Sequence, residues 1–223
     1  MIKDFSQYKK NNKPPKNLVV LLHGYGSNKN DLISLAPYFD KALPDSLFVS
    51  PNAPQACDML ADGYQWFPLD DGFETLRLDN LKDKDSKKEL HRSVKNLNYF
   101  IDEQLKNNDI NAENVFLIGF SQGSSMAMYS SLQRKIPVKA VVAYSGLFLN
   151  DIVKNVKSKP CVVGVSHGTL DDVVPFNWHQ HNCNLLKSLD IKVKELSVEH
   201  SFHEISAQAL QFGMHILEEA SDV

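Results

Sequence analysis

The chain has 223 residues, with 24 Lys and Arg against 27 Asp and Glu, for a net charge of −3. That length suits a single domain over 1–223, which buries roughly 70–75% of its unfolded surface. The mixed charge offers no basic face for nucleic acid, the polar residues 1–16 lack the apolar stretch of an export signal, and no run of about 18 apolar residues could span a bilayer.

Three cysteines, Cys57, Cys161 and Cys183, are an odd number without an export signal. They read as free thiols in a reducing, cytoplasmic compartment. Cys161 falls in an apolar strand and is expected in the core.

In chain order, Leu18–Leu22 predicts a buried strand that ends in LLHGYGSN. A glycine-bracketed loop in that place can aim a backbone N–H, best assigned to Tyr25, at a site beyond the strand. It also reads as a plain turn into the next helix. That helix is predicted over 30–39, with Leu32, Leu35, Ala36 and Phe39 on one face. A second strand follows at Leu47–Ser50.

The stretch Cys57–Leu81 is long for a connection, and such segments are functional or disordered. Its Met59, Leu60, Tyr64, Trp66, Phe67, Leu69, Phe73, Leu76 and Leu78 make it too apolar for disorder. Two readings stay open. The side chains pack on the core, or the stretch is a mobile flap that walls an acyl pocket and can touch a lipid surface.

Lys87–Lys106 is the clearest helix, with Leu90, Val94, Leu97, Ile101 and Leu105 on one face and a Ser86–Glu89 capping box at its start. Val115–Gly119 is a short, partly β-branched strand, and it runs straight into GFSQG and a helix over 122–134. A strand that turns into a helix through one residue needs glycine on both flanks. The serine between them, Ser121, is then held with its hydroxyl exposed, which is the nucleophile elbow. The N–H of the next residue, Gln122, is an expected oxyanion donor.

Strands at 138–144 and 161–166 and a helix over 175–189 follow, then a more alternating strand at 191–198 and a helix over 205–217. Strands alternating with helices predict a mainly parallel sheet covered on both faces. Functional residues of such a sheet gather beyond the carboxyl ends of its strands. Those ends offer Asp171 and Asp172 as acids, and His200 and His203 as bases. A Ser201–Glu204 capping box would place His203 in the first turn of the last helix, where the dipole keeps the ring neutral. His203 is therefore preferred. The order Ser, Asp, His is that of α/β-hydrolases. Most of the eight histidines have no such setting; His179 and His181, two apart, share no helix face and make a poor metal pair.

LLHGYGSN, SPNAP, Trp66–Phe67, GFSQG, Tyr144–Gly146 and HGTLDDVVP occur in this order. Together they resemble the carboxylesterase and acyl-protein thioesterase family, also called the phospholipase/carboxylesterase family, from Leu18 to the C-terminus. The resemblance implies an α/β-hydrolase fold and a triad of Ser121, Asp171 and His203. It favours Asp171 over Asp172, because the motif's acid falls four residues after His167. It also implies oxyanion donors at Tyr25 and Gln122, and a substrate pocket at Trp66, Phe67, Leu69 and Val174. Asp172 stands where the family often has proline, and Phe202 where it often has glycine.

The implied chemistry is hydrolysis of esters or thioesters of short to medium acyl chains through an acyl-enzyme on Ser121. It needs no metal and no organic cofactor. Lysophospholipids, acylated proteins, peptides and lactones are alternative substrates for the same triad, and a non-catalytic binding module is the reading from another class. Expected partners are small acyl substrates, a lipid surface met peripherally through 57–81, and a second copy in a homodimer.

Overall fold

In the computed structural model of the chain, the described residues are 2–57, 61–69, 84–148 and 156–221. Among them, the strands are β1 (Phe5–Tyr8), β2 (Asn17–Leu22), β3 (Ser46–Pro51), β4 (Gln55–Ala56), β5 (Tyr64–Gln65), β6 (Val115–Phe120), β7 (Ala140–Tyr144), β8 (Val162–Gly168) and β9 (Val193–Val198). The helices are α1 (Ala36–Ala42), preceded by a 3-10 turn at Leu32–Leu35, then α2 (Lys84–Asn107), α3 (Gln122–Gln133), α4 (Asn177–Ser188) and α5 (Ala207–Ser221).

The main sheet runs in the order β1-β3-β2-β6-β7-β8-β9, and β4 and β5 form a separate two-stranded ladder. Only β1 is antiparallel, pairing Phe5 with Pro51 and Tyr8 with Phe48. The other neighbours run parallel. This is the fold expected of an α/β-hydrolase.

The continuous apolar runs follow from burial on both faces. Along β2, Leu18, Val20 and Leu22 pack in one core while Val19 and Leu21 pack in the other. The first core takes α2, α3 and α4; the second takes α1 and α5. Each such Leu or Val contributes about 1.5–3 kcal/mol on burial. Helix α3 is buried from Gln122 to Leu132 because it is built of small residues. Its hydroxyls are satisfied locally: the single Ser124 O–H is shared between the Gly119 and Tyr144 carbonyls, and Ser125 donates to that of Leu147.

Several boundaries differ from expectation. Helix α2 begins at Lys84, so Ser86 lies within it and does not cap it. Helix α5 begins at Ala207, and its cap is Ser206, whose hydroxyl accepts the Ala209 N–H at 3.2 Å. The last helix therefore starts beyond His203. Cys161 is exposed, because the strand starts only at Val162; Cys57 and Cys183 are buried. Of the 57–81 stretch, 58–60 and 70–81 lie outside the described residues. No helix of the described residues is long and apolar enough to cross a membrane.

Candidate active site

Ser121 sits between the last residue of β6 and the first of α3 with φ 55° and ψ −120°. A non-glycine residue there costs on the order of 1–3 kcal/mol and persists only where its surroundings hold it. Its N–H donates to the Tyr144 carbonyl at 2.9 Å, and its own carbonyl accepts the Ser124 N–H at 3.0 Å. The flanking glycines are required by close approach. A Cβ on Gly119 would lie 2.2 Å from the Gly123 oxygen, and one on Gly123 would lie 2.0 Å from the Leu22 oxygen. The second contact presses the start of α3 against the end of β2, so the HGYG loop arrives beside the serine.

The loops after β8 and β9, strands that pair with each other, carry a carboxylate and an imidazole. Asp171 follows β8, and its carboxylate is fully enclosed. One oxygen, Oδ1, accepts the N–H groups of Val173 (3.0 Å) and Val174 (2.8 Å). The other, Oδ2, meets His203 Nδ1 at 2.8 Å and His167 Nε2 at 3.3 Å. Burial alone would raise this carboxyl's pKa. The hydrogen bonds from His167, His203 and the Val174 amide outweigh burial and hold it well below the usual carboxylate range. Asp172, one residue on, is exposed.

His203 lies in the loop between β9 and α5, not in a helical first turn. The dipole argument for preferring it therefore fails; what sets it apart from His200 is its hydrogen bond to Asp171. Its position is fixed by side-by-side loops: the Leu170 N–H donates to the Ser201 carbonyl (2.9 Å), and Ser201 Oγ donates to Glu204 (2.9 Å). His200 is exposed in a turn at φ 59°, its N–H on Thr169 Oγ1. Phe120, next to Ser121, packs its ring on His203 with centroids 4.6 Å apart. Elbow and imidazole are thus neighbours, while Ser121 and His203 share no hydrogen bond among the described residues. Such bonds are often long until substrate arrives.

On the opposite side of Ser121, a Cβ on Gly24 would come 3.4 Å from the serine Cβ. Tyr25 follows directly, and Gln122 opens α3, where the first amides have no intrahelical acceptor. The loop is braced from below. His23 is buried, with Nδ1 on the Gly24 carbonyl (2.7 Å) and Nε2 accepting the Ala53 N–H (3.1 Å). Trp66, expected in the pocket wall, is fully buried and donates its indole N–H to the His23 carbonyl at 3.0 Å. The Gln122 side chain accepts the Trp66 N–H (2.9 Å) and donates to the Phe67 carbonyl (2.8 Å). One residue thereby joins the elbow to the 66–67 segment. Phe67 and Val174 are also buried, and Leu69 is partly buried against the same core.

His23 and His167 were not singled out by sequence as parts of the site, since only the three-dimensional packing shows their partners. The His23 setting has a consequence for stability. Burial lowers its pKa from 6.5 to about 4. A depressed folded-state value means that the unfolded chain binds the proton first as pH falls. The contribution is complete above pH 6.5 and is lost between there and about pH 4, amounting to about 3 kcal/mol. Urea unfolding at pH 7 and pH 4.5 is expected to show a larger acid loss for the wild type than for His23→Gln. Equal losses would mean that His23 does not couple folding to pH.

Comparison with known proteins adds to this geometry. The sequence model of the phospholipase/carboxylesterase family matches residues 5–220. The chain is similar to acyl-protein thioesterase 1 of Debaryomyces hansenii, 27% identical over 218 residues that cover 93% of this chain and 92% of the other. It is similar in structure to esterase PE8, with a TM-score of 0.84, 32% identity, and coverage of 96% of this chain and 97% of that one. The Bacillus cereus carboxylesterase shares the fold, with a TM-score of 0.78 at 19% identity over 99% of this chain and 95% of that one.

Proposed function

The chain belongs to the phospholipase/carboxylesterase family and is a serine hydrolase of esters or thioesters; on that premise we propose that Ser121 is its nucleophile, His203 its base and Asp171 the residue that orients the base. The observation that carries the assignment is the 2.8 Å His203–Asp171 hydrogen bond beside a serine held at φ 55°. In this reading the Ser121 oxygen attacks the acyl carbonyl while its proton passes to His203 Nε2. The Tyr25 and Gln122 N–H groups receive the developing oxyanion. The proton then moves to the leaving alcohol or thiol. Water, deprotonated by the same imidazole, releases the acid and restores the serine. Asp171 keeps Nδ1 protonated and stabilises the transient imidazolium. The test is labelling by a fluorophosphonate probe in wild type and Ser121→Ala, with a panel of p-nitrophenyl esters, acyl thioesters and peptides. Strong turnover of peptides with none of esters would overturn the assignment of reaction class.

Two exposed apolar side chains favour an acyl chain over a compact substrate. Leu170 (47% exposed) precedes Asp171, and Phe202 (56% exposed) precedes His203. The Leu170–Ser201 hydrogen bond holds their two loops side by side, which makes an apolar lip at the triad. Losing contact with two methylenes is worth about tenfold. Leu170→Ser with Phe202→Ser is expected to lower kcat/KM for an octanoyl thioester about tenfold and to leave an acetyl ester nearly unchanged. An equal fall for both substrates would remove the lip from chain recognition. A lipid surface, a homodimer and a cytoplasmic site of action remain part of this proposal; the first would use the same lip.

A further inference from the structure

We propose that His179, Cys183 and Glu195 form a binding site for a zinc-class divalent cation, which would tie α4 to β9 and take no part in ester chemistry. His179 and Cys183 stand four residues apart on α4 and so share a face. The sequence pattern drew attention to His181, two residues from His179, but the partner on the same face is Cys183. Glu195 enters from the neighbouring strand β9. One ligand atom from each of the three residues lies within 4.8 Å of the other two.

His179 is the residue that needs an explanation. It is 4% exposed, and its Nε2, the nitrogen that faces Glu195, makes no hydrogen bond among the described residues; the buried Nδ1 has no partner either. Its ring stacks on Phe176 with centroids 5.4 Å apart, which satisfies its faces but not its nitrogens. A buried polar group left unpaired is costly. Its Nε2 points towards Glu195 Oε2 at 3.8 Å, too far for a hydrogen bond. Bonds of about 2.0–2.1 Å to one tetrahedral ion would place two such ligand atoms roughly 3.3–3.4 Å apart. A small closing movement would therefore seat an ion between them. Cys183 is fully buried, and its sulfur completes the cluster beside His179 and Glu195. Lys187 Nζ sits 3.0 Å from the other carboxylate oxygen, Oε1, and leaves Oε2 facing His179.

The donor set decides the class of ion. One imidazole nitrogen, one thiolate and one carboxylate suit zinc or cobalt, whereas magnesium and calcium select oxygen ligands. The Glu195 side chain is 43% exposed, so the ion can enter from that side and keep a water as fourth ligand. Binding replaces the thiol proton: the sulfur–hydrogen bond breaks, a sulfur–metal bond forms, and the proton leaves to solvent past Glu195. The site lies behind the triad. The His179 and His167 rings are 6.2 Å apart, and His167 Nε2 is 3.3 Å from Asp171. Its role is that of a structural staple.

The experiment is a cobalt titration of chelator-treated full-length protein, followed by displacement with zinc. One equivalent is expected to give a thiolate-to-cobalt charge-transfer band. That band should vanish in Cys183→Ala and persist in Cys57→Ala, Cys161→Ala and His203→Ala. Glu195→Gln alters a side chain that is 43% exposed, and is expected to weaken cobalt at least about tenfold. At free zinc of about 100 times Kd, the folded-to-unfolded ratio of the wild type should rise about a hundredfold, with no rise in Cys183→Ala. A wild type without the band overturns the proposal. So does a band that survives Cys183→Ala, one that is lost in His203→Ala, or one whose affinity Glu195→Gln leaves unchanged.

Discussion

Ser121→Ala is expected to lower ester hydrolysis by about 10⁴-fold or more, with KM little changed and the fold intact. The size follows from cooperation. In the proposed triad, removing the serine oxygen leaves His203 no nucleophile to activate and Asp171 no imidazolium to stabilise. What survives is the binding of substrate and the polarising of its carbonyl by backbone amides. The fold should survive because the Ser121 contacts that hold the elbow are made by its backbone, to Tyr144 and Ser124. Alanine occupies φ 55° at much the same cost as serine. The checks are turnover of p-nitrophenyl acetate, thermal unfolding, and loss of the fluorophosphonate label. Turnover within tenfold of wild type would place the nucleophile elsewhere, Cys57 and Cys183 being the buried thiols then to be tested.

The elbow was legible because its physics is local. A buried strand, one residue and a helix of small side chains leave no space for a Cβ at either flank, and both glycines meet backbone within about 2 Å. The central strands were legible for a related reason: two-sided burial writes itself as an unbroken apolar run, as in Leu18–Leu22. Strand β1 was missed because it carries no such run. FSQY is half polar, and it is a strand only because the β3 edge offers it partners from Phe48 to Pro51. His203 was preferred on the strength of a helix start that lies at Ala207 instead. The Ser201–Glu204 spacing that suggested a cap does make a side-chain hydrogen bond, but in a loop. Spacing alone cannot tell those two uses of the same residues apart. The supports of the site were not legible at all. His23 and the Gln122 side chain act through partners 30 to 56 positions away, which no local pattern reports, and the role of His167, whose partners Asp171 and Val174 lie in its own motif, shows only in the packing.

Those partners also explain how a strained serine is kept in place. The cost at Ser121 is local, whereas the restraint is distributed. Gln122 fastens the start of α3 to Trp66 and Phe67, Trp66 fastens to the carbonyl of His23, and His23 fastens to Ala53. Each link is buried, so each hydrogen bond is expensive to break and leave unpaired. The HGYG loop and the elbow are therefore positioned by one connected set of contacts, and both expected oxyanion donors belong to it.

Asp171→Asn and His203→Ala are each expected to reduce kcat by about 10⁴-fold, whereas Asp172→Asn and His200→Asn should leave it close to wild type. The case for Asp171 rests on its two differently used oxygens. Oδ1 accepts two backbone N–H groups, from Val173 and Val174, so an asparagine there is compelled to keep its carbonyl oxygen on that side. Its NH₂ then faces His203 Nδ1, which must switch from donor to acceptor. The proton moves to Nε2, and a ring protonated at Nε2 cannot take the Ser121 proton. The same NH₂ also meets His167 Nε2, which donates to the Val174 carbonyl at 2.8 Å, so the substitution sets donor against donor at a second point. Asparagine at 172 meets none of this, since Asp172 is exposed. At position 200, asparagine is chosen because it tolerates the left-handed backbone at φ 59° better than alanine does. The measurement is kcat on an acetyl ester for all four variants, with circular dichroism and thermal unfolding to show that the fold is kept. Loss at Asp172 greater than at Asp171, or equal losses at the two histidines, would mean that the 2.8 Å Asp171–His203 pair is structural and that the proton travels by another route.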